Sequence, residues 1–329
     1  MSELYIKQEL LKTLPQIDAL ILDIDGVILD VSQSFREVIS QTTQLYATSK
    51  LSVSGEETLL PVEEIDLFKM AGGFNSDWDL ANAAVALIVA KQAQSGARDA
   101  ATLSAQAPDW SEYTREIKRR GGGLMEAEMT ILAMLDSNQR REFSFNWNQK
   151  LVTQLFQEMY GGVAACKTLY GFEPQHLQVE GYYQREKVLL DAALLPSKLP
   201  VGILTGRTKN EARLAMKFAG LRNRILEPNW ITEDDGVRKP DGQTLMLLQE
   251  KMGFKNALYI GDTWDDWQTV VNYRQIKGSQ RAKVSGCICL AEGKSDEHRR
   301  TFLEAGTEII TPDINSLLSY LGHVWKPTN

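Results

Sequence analysis

The chain has 329 residues, of which 43% are hydrophobic and 24% are charged, a composition typical of a globular protein long enough for two domains. Its formal net charge of −7 argues against a nucleic-acid partner, which is bound through a basic surface. Residues 1–16 lack the apolar core of a secretory signal, and the most apolar helical stretch, residues 80–90, is too short to span a bilayer, so we expect a cytoplasmic protein without a membrane partner.

The first predicted strand, Ala19–Leu22, is an apolar run that leads directly into acidic residues. Buried carboxylates are costly unless a cation or a hydrogen-bond donor pairs with them. In an extended chain, positions i and i+2 point to the same side, so Asp23 and Asp25 should face one pocket. Gly26 would let the backbone turn closely over that pocket, whereas Asp30 lies further along the chain.

The middle of the chain has a different pattern and is predicted to be helical. Its helix-period stretches lie at residues 62–70, 77–95, 110–120, 125–137 and 149–160. Glycine runs at 72–73 and 121–123 break this pattern. We therefore predict an α/β core domain made of residues 1–30 and 196–329, with residues 31–195 inserted as an α-helical domain.

The last third of the chain alternates between strand and helix patterns. Further strand candidates lie at residues 201–204, 257–260, 288–290 and 308–310. Thr208 and Glu211 have the spacing of a capping box, and Gly220 and Gly253 stand where helices would end. Strands that alternate with helices predict a doubly wound parallel sheet of the Rossmann-like α/β type.

Polar side chains follow several of these predicted strands. Thr205, ahead of a helix start, offers a hydroxyl and backbone N–H groups to a phosphate. Lys239 precedes a proline and another helix. Asp262 ends a strand, and Asp266 follows in the first helical turn, where acidic residues are common in any case. Sites in open α/β sheets form at the carboxyl ends of strands, so these side chains should meet there.

The predicted cluster points to Mg²⁺ and to phosphoryl transfer. The three cysteines and three histidines have no ligand or triad spacing, so any metal should be held by oxygen atoms. Asp23, Asp262 and a backbone carbonyl suit Mg²⁺, which keeps several waters and bridges to phosphate. A carboxylate nucleophile with a lysine and a threonine for the phosphoryl oxygens completes this inventory.

Four segments together resemble the four motifs of the haloacid dehalogenase superfamily: DIDGV, LTGR, the RKP around Lys239, and GDTWDD. The helical insertion directly after the first motif resembles subgroup IA, which includes phosphoglycolate phosphatases and β-phosphoglucomutases. The stretches LDVSQSFREVI and KMAGGFNSDWDLANA are similar to a branch with members joined to imidazoleglycerol-phosphate dehydratase, which hints at histidine biosynthesis.

The resemblance implies a role for each residue of the cluster. Asp23 would attack phosphorus and form an aspartyl-phosphate, and Asp25 would be the general acid and base. Thr205 and Lys239 would bind the phosphoryl group. The implied Mg²⁺ ligands are Asp23, the backbone carbonyl of Asp25, Asp262 and, through water, Asp266. The presence of Asp25 favours phosphate chemistry over carbon–halogen cleavage.

Substrate specificity is expected to come from the helical insertion, with Arg207 beside Thr205 as a further candidate. The candidates are Ser32, Ser34, Arg36, Asn75, Trp78 and Arg207. Each also has an ordinary structural interpretation, such as Ser32 as a helix cap, Trp78 as packing in the helical domain and Arg207 as a solvated charge.

The sequence thus predicts a Mg²⁺-dependent phosphatase that acts on a small phosphorylated metabolite. A phosphomutase that uses the same aspartyl-phosphate is the first alternative, and a non-catalytic regulatory protein that retains the fold is the second. The identity of the metabolite and the oligomeric state remain open.

Overall fold

The computed structural model describes residues 4–278, 281–290 and 296–325. The chain divides into two compact units: an α/β unit of residues 1–30 and 187–329, and a helical unit of residues 31–186. The sequence predicted that the second segment of the α/β unit begins at residue 196, whereas in the structure it begins at residue 187.

The strands all belong to the α/β unit. They are β1 Tyr5–Ile6, β2 Ala19–Leu22, β3 Leu29–Asp30, β4 Lys187–Val188, β5 Val201–Leu204, β6 Trp230–Ile231, β7 Asn256–Gly261, β8 Lys283–Cys289 and β9 Ile309–Thr311. The main sheet has the order β1-β9-β8-β7-β2-β5-β6 and is parallel except for β1, which runs antiparallel to β9.

The helices of the helical unit are α1 Phe35–Leu51, α2 Ile65–Ala71, α3 Asp77–Ser95, α4 Ala100–Ala105, α5 Trp110–Arg120, α6 Gly123–Met134, α7 Ser137–Asn146 and α8 Gln149–Tyr170. Those of the α/β unit are α9 Lys209–Phe218, α10 Gln243–Met252, α11 Trp264–Gln275, α12 Asp296–Glu304 and α13 Ile314–Val324. No helix in the described part of the chain is long and apolar enough to cross a membrane.

Strand β2 is an interior strand of the main sheet, between β7 and β5. All four of its residues are fully buried, so both of its faces are covered, as is usual for a parallel strand. Leu22 pairs with Ile203 of β5 on one side and with Ile260 of β7 on the other. The three strands therefore end level with one another, and the residues that follow them lie side by side.

Helix ends in the α/β unit agree with the local sequence signals. Thr208 and Glu211 form both hydrogen bonds of the capping box that begins α9. Helix α10 ends at Gly253, which has a φ of +69° and caps the helix in the left-handed conformation. The predicted Rossmann-like α/β fold class is confirmed.

Helix α3 is the central helix of the helical unit. An unbroken run of its residues, Leu80 to Gln92, is buried, and α3 packs against α1, α6, α7 and α8. Its bounds and those of α5 agree with the predicted stretches 77–95 and 110–120.

A short antiparallel ribbon lies where the chain leaves and re-enters the α/β unit. In this ribbon β3 pairs with β4, with Leu29 opposite Val188 and Asp30 opposite Lys187. The two ends of the helical insertion are thereby tied to adjacent positions in the α/β unit.

Candidate active site

The carboxyl ends of β2, β5 and β7 bring together the side chains that the sequence singled out. Asp23 follows β2, Thr205 follows β5 and Asp262 follows β7. The N–H of Asp23 donates to the carbonyl of Ile260 at 2.9 Å, which extends the sheet pairing to the site itself. These side chains lie close together because the three strands are parallel and their carboxyl ends lie at the same edge of the sheet, as predicted.

Lys239 is the buried cation of this cluster. Its side chain is 3% exposed, and its Nζ donates to Asp23 Oδ2 and to Asp266 Oδ1, both at 2.7 Å. Burial opposes its charge, yet the two carboxylates raise the pKa of Lys239 well above its ordinary value. Lys239 is thus a permanent ammonium group beside Asp23, unlike a solvated surface lysine.

Asp23 is buried among like charges. Burial raises the pKa of Asp23 from 3.8 to about 8, Lys239 opposes this rise, and the charges of Asp266, Asp25 and Asp262 add to it. Its Oδ1 accepts the N–H of Ile24 at 2.7 Å. Additional positive charge at this point would therefore favour the ionised carboxylate that a nucleophile must be.

Both oxygens of Asp266 are engaged in hydrogen bonds. Oδ1 accepts the hydroxyl of Tyr259 in addition to Lys239. Oδ2 accepts the N–H of Asp262 at 3.1 Å, and the N–H and hydroxyl of Thr263 at 2.9 and 2.7 Å, which closes the capping box of α11. Asp266 therefore fixes Lys239 and the turn that carries Asp262. Burial would raise the pKa of Asp266, but Lys239 and the hydrogen-bond donors outweigh burial, so the pKa is lowered.

Tyr259 is a site residue that the sequence did not single out. It lies within β7, is 1% exposed, and donates its hydroxyl to Asp266. Burial and the nearby carboxylates hold the pKa of Tyr259 well above its ordinary value, so it remains a donor. A tyrosine inside a buried strand must find a hydrogen-bond partner, which was the available signal.

Arg207 and Asp25 form an ion pair beside this cluster. Arg207 is 2% exposed, which excludes its interpretation as a solvated charge. Its Nε and Nη2 donate to Asp25 Oδ1 at 2.9 and 2.6 Å. A contact between Arg207 and substrate stays a prediction.

Gly26 allows the turn after β2 to approach Asp262. A Cβ built at Gly26 would lie 2.1 Å from Asp262 Oδ2, and the φ of Gly26 is +69°. Both the space and the backbone conformation therefore require glycine.

The cluster fits a hard divalent cation. Asp23, Asp262 and Asp266 each present a carboxylate oxygen within 4.8 Å of the others. The surrounding charges are the carboxylates Asp23, Asp25, Asp262 and Asp266 and the cations Lys239 and Arg207. Oxygen ligands clustered in this way suit Mg²⁺.

Five further candidates belong to the helical unit: Ser32, Ser34, Arg36, Asn75 and Trp78. Helix α1 has Ser34 rather than Ser32 as its N-cap residue. Trp78 packs edge-on against Phe156 with ring centroids 6.2 Å apart, and Asn75 Nδ2 is buried without a hydrogen-bond partner. Their proposed contacts with substrate stay predictions.

One family model and one curated relative match this chain. A family model described as haloacid dehalogenase-like hydrolase matches residues 17–270. An imidazoleglycerol-phosphate dehydratase from Phytophthora nicotianae is 24% identical over 257 residues, which cover 76% of this chain but 40% of that protein. The chain thus spans about 40% of the length of the curated relative that it matches.

Two solved structures share the fold. Phosphatase Tt82 from Thermococcus thioreducens is 21% identical with a TM-score of 0.57, and the match covers 92% of this chain and 98% of that one. A structural-genomics target is 14% identical with a TM-score of 0.59, over 94% of this chain and 99% of the other. At these identities the likeness extends to the fold.

Proposed function

Since the chain belongs to the haloacid dehalogenase-like hydrolase family, we propose that it is a Mg²⁺-dependent phosphatase for a small phosphorylated metabolite. One observation supports this most directly: a buried carboxylate, Asp23, lies at the carboxyl end of β2 with the Lys239 ammonium 2.7 Å away. A carboxylate held beside a cation can attack phosphorus while the cation binds the phosphoryl oxygens.

In the first step an Asp23 oxygen forms a bond to phosphorus, and the bond from phosphorus to the leaving-group oxygen breaks. Asp25 gives its proton to that oxygen, so the product leaves as an alcohol. Lys239 and the Thr205 hydroxyl hold the phosphoryl oxygens during the transfer. The product of this step is an aspartyl-phosphate on Asp23 with Asp25 ionised.

In the second step Asp25 takes a proton from a water molecule, which attacks the phosphorus of the aspartyl-phosphate. The bond between phosphorus and Asp23 breaks, inorganic phosphate leaves, and both carboxyl groups return to their starting states. When bound, Mg²⁺ supplies positive charge that favours ionised Asp23 and offsets the charge of the phosphoryl oxygens. Asp23, the carbonyl of Asp25 and Asp262 would hold the ion, with Asp266 in contact through water.

The test is release of phosphate from a broad panel of phosphate monoesters, with and without Mg²⁺ and with Asp23→Asn as the blank. The name of the dehydratase relative places imidazole-bearing phosphate esters in the panel. We expect Mg²⁺-dependent release from at least one ester and none from the variant. Absence of release from every ester, or equal release by Asp23→Asn, would contradict the proposal, and ³¹P NMR of sugar phosphates would reveal a mutase by isomerised ester without free phosphate.

A further inference from the structure

Arg207 is among the largest fully buried side chains of the protein, yet it carries a permanent charge. An arginine is rarely buried unless it is paired, because removal of the charge from water is costly. Its partner is Asp25, which follows a different strand and is 182 positions distant in the sequence. The pair therefore connects the turn after β5 to the turn after β2.

The pair is asymmetric in exposure and in the atoms it uses. The Arg207 side chain is 1% exposed, whereas that of Asp25 is 25% exposed. Both Arg207 donors bind the same carboxylate oxygen, Oδ1, at 2.6 and 2.9 Å. Among the described residues, the side-chain hydrogen bonds to this carboxylate go to Oδ1, so Oδ2 is the oxygen left to face a ligand.

Arg207 is itself fixed by its backbone. Its N–H donates to the Thr205 hydroxyl oxygen at 3.2 Å, and its carbonyl accepts the N–H of Glu233 at 3.0 Å. The turn that presents Thr205 to the phosphoryl group is thus the turn that aims the guanidinium at Asp25. A buried side chain on a backbone that is held at both its N–H and its carbonyl can keep a catalytic group in a narrow range of geometry.

We propose that Arg207 is a positioning residue that holds the Asp25 carboxylate by Oδ1 and so presents Oδ2 to the leaving group. This inference rests on the proposed function, since it needs Asp25 to be the acid of the first step. It differs from a substrate contact by Arg207, because the effect of Arg207 on the reaction is exerted through Asp25.

The test compares the first-turnover rates of two substrates in Arg207→Lys. This variant keeps the positive charge but loses the planar guanidinium group that donates two hydrogen bonds to Asp25. An alkyl phosphate that the enzyme cleaves needs a proton on its leaving oxygen, whereas p-nitrophenyl phosphate does not. We expect the first-turnover rate with the alkyl ester to fall by about 10- to 100-fold, which is part of the roughly 10²- to 10⁴-fold that general acid catalysis contributes. The burst rate with p-nitrophenyl phosphate and the KM of both substrates should change by less than about threefold.

Arg213→Lys is the matched control, since Arg213 lies in the same unit and pairs with Glu227 at the surface at 2.8 Å. It should leave both first-turnover rates unchanged. A second variant, Arg207→Lys combined with Asp25→Asn, should be no slower with the alkyl ester than Asp25→Asn alone, because one residue then acts through the other.

A KM that rises equally for both substrates, equal loss of both first-turnover rates, or additive losses in the double variant would each overturn the positioning role. Failure of the proposed function has a different signature, in which the unchanged protein forms no aspartyl-phosphate from either substrate. Circular dichroism of each variant confirms that the compared proteins are folded.

Discussion

Asp266 has two roles in the structure: it caps helix α11 and it binds Lys239. One oxygen closes the capping box of α11 through Thr263, and the other accepts from Lys239 at 2.7 Å. A helix N-terminus also favours a negative charge at this position. The cap therefore fixes the same carboxylate that orients Lys239, and the contact of Asp266 with Mg²⁺ through water stays a prediction.

Substitution of Gly26 should weaken the binding of Mg²⁺. In Gly26→Ala the new Cβ would lie 2.1 Å from Asp262 Oδ2, so Asp262 must move away from the predicted metal ligands. We expect the affinity for Mg²⁺ to fall by about 10- to 100-fold, as it does when metal ligands are displaced or lose their support. Isothermal titration calorimetry with Mg²⁺ measures this directly, and phosphate release should need correspondingly more Mg²⁺.

Gly253→Ala separates crowding from backbone strain. Gly253 has the same φ of +69° as Gly26, but nothing lies within 4 Å of a Cβ built there. Both substitutions carry the left-handed strain of about 1–2 kcal/mol for a residue with a side chain. Equal affinities for Mg²⁺ in the two variants would show that crowding of Asp262 does not matter.

Site residues differ in how well the sequence alone predicts them. Asp23, Thr205 and Asp262 each follow an apolar run, and parallel strands place such ends side by side. The contact between Arg207 and Asp25 had no local signal, because a charged side chain in a turn does not indicate which distant carboxylate it meets. The same holds for the Tyr259 hydroxyl, whose partner depends on the folded position of α11 relative to β7.

Helix α3 contains a buried cation that is not part of the candidate active site. Lys91 is 2% exposed, donates to the carbonyl of Leu103 at 3.1 Å, and has its Nζ 5.9 Å from the centre of the Trp110 ring. Burial lowers the pKa of Lys91 from 10.5 to about 8, although Asp109 and Glu112 partly offset the shift. The helical unit therefore contains a charge that the folded state disfavours.

Substitution of Lys91 should make stability depend on pH. Below pH 8 both the folded and the unfolded chain are protonated at Lys91, so the full cost of burial, up to about 3 kcal/mol, is present. Between pH 8 and 10.5 the unfolded state binds more protons, and stability rises with pH. Lys91→Met should therefore raise the free energy of unfolding at pH 7 by about 1–2 kcal/mol, after loss of one hydrogen bond worth about 1 kcal/mol.

Urea unfolding followed by circular dichroism at pH 7 and pH 10.5 checks this expectation. The difference in unfolding free energy between Lys91→Met and the wild-type protein should nearly vanish at pH 10.5, because Lys91 of the folded wild-type protein is neutral at that pH. Lys50→Met is the control, because Lys50 is an exposed residue in the last turn of α1. An advantage of Lys91→Met that is the same at both pH values would show that packing, not charge, is responsible.

Secondary-structure elements could be predicted where their signals are local. Strands β2 and β5 and helix α3 have long apolar runs or clear helix ends, and their bounds agree with the sequence prediction. Helix α1 was missed because its Ser and Thr residues obscure the apolar period. Strand β6 and the β3–β4 ribbon were missed because two-residue strands are defined by partners far away in the sequence.

The same ribbon explains why the boundary of the units differs from the predicted one. Lys187 and Val188 are exposed and give no strand signal by themselves, but they pair with Asp30 and Leu29. The chain is therefore part of the α/β unit again before the apolar run of β5 begins. The residues proposed for phosphoryl chemistry, Asp23, Asp25, Thr205, Lys239 and Asp262, all belong to the α/β unit.

This organisation predicts that the α/β unit can fold without the helical unit. Asp30 and Lys187 are opposite partners in an antiparallel pair, so an Asn-Gly dipeptide can replace residues 31–186 as a two-residue hairpin turn. The sheet core around β2 remains intact in such a protein. We expect a folded chain that binds Mg²⁺ and hydrolyses p-nitrophenyl phosphate, but that no longer discriminates between esters that the full protein distinguishes.

Discrimination should be lost because the α/β unit supplies contacts to the phosphoryl group, which every ester shares, whereas the predicted contacts of Asn75 and Trp78 are removed with the helical unit. Rates across the phosphate-ester panel, with Asp23→Asn in the shortened chain as blank, measure this. Selectivity equal to that of the full protein would place specificity in the α/β unit, with Arg207 the first residue to examine. A folded chain that no longer binds Mg²⁺ would instead mean that the metal site needs residues between 31 and 186.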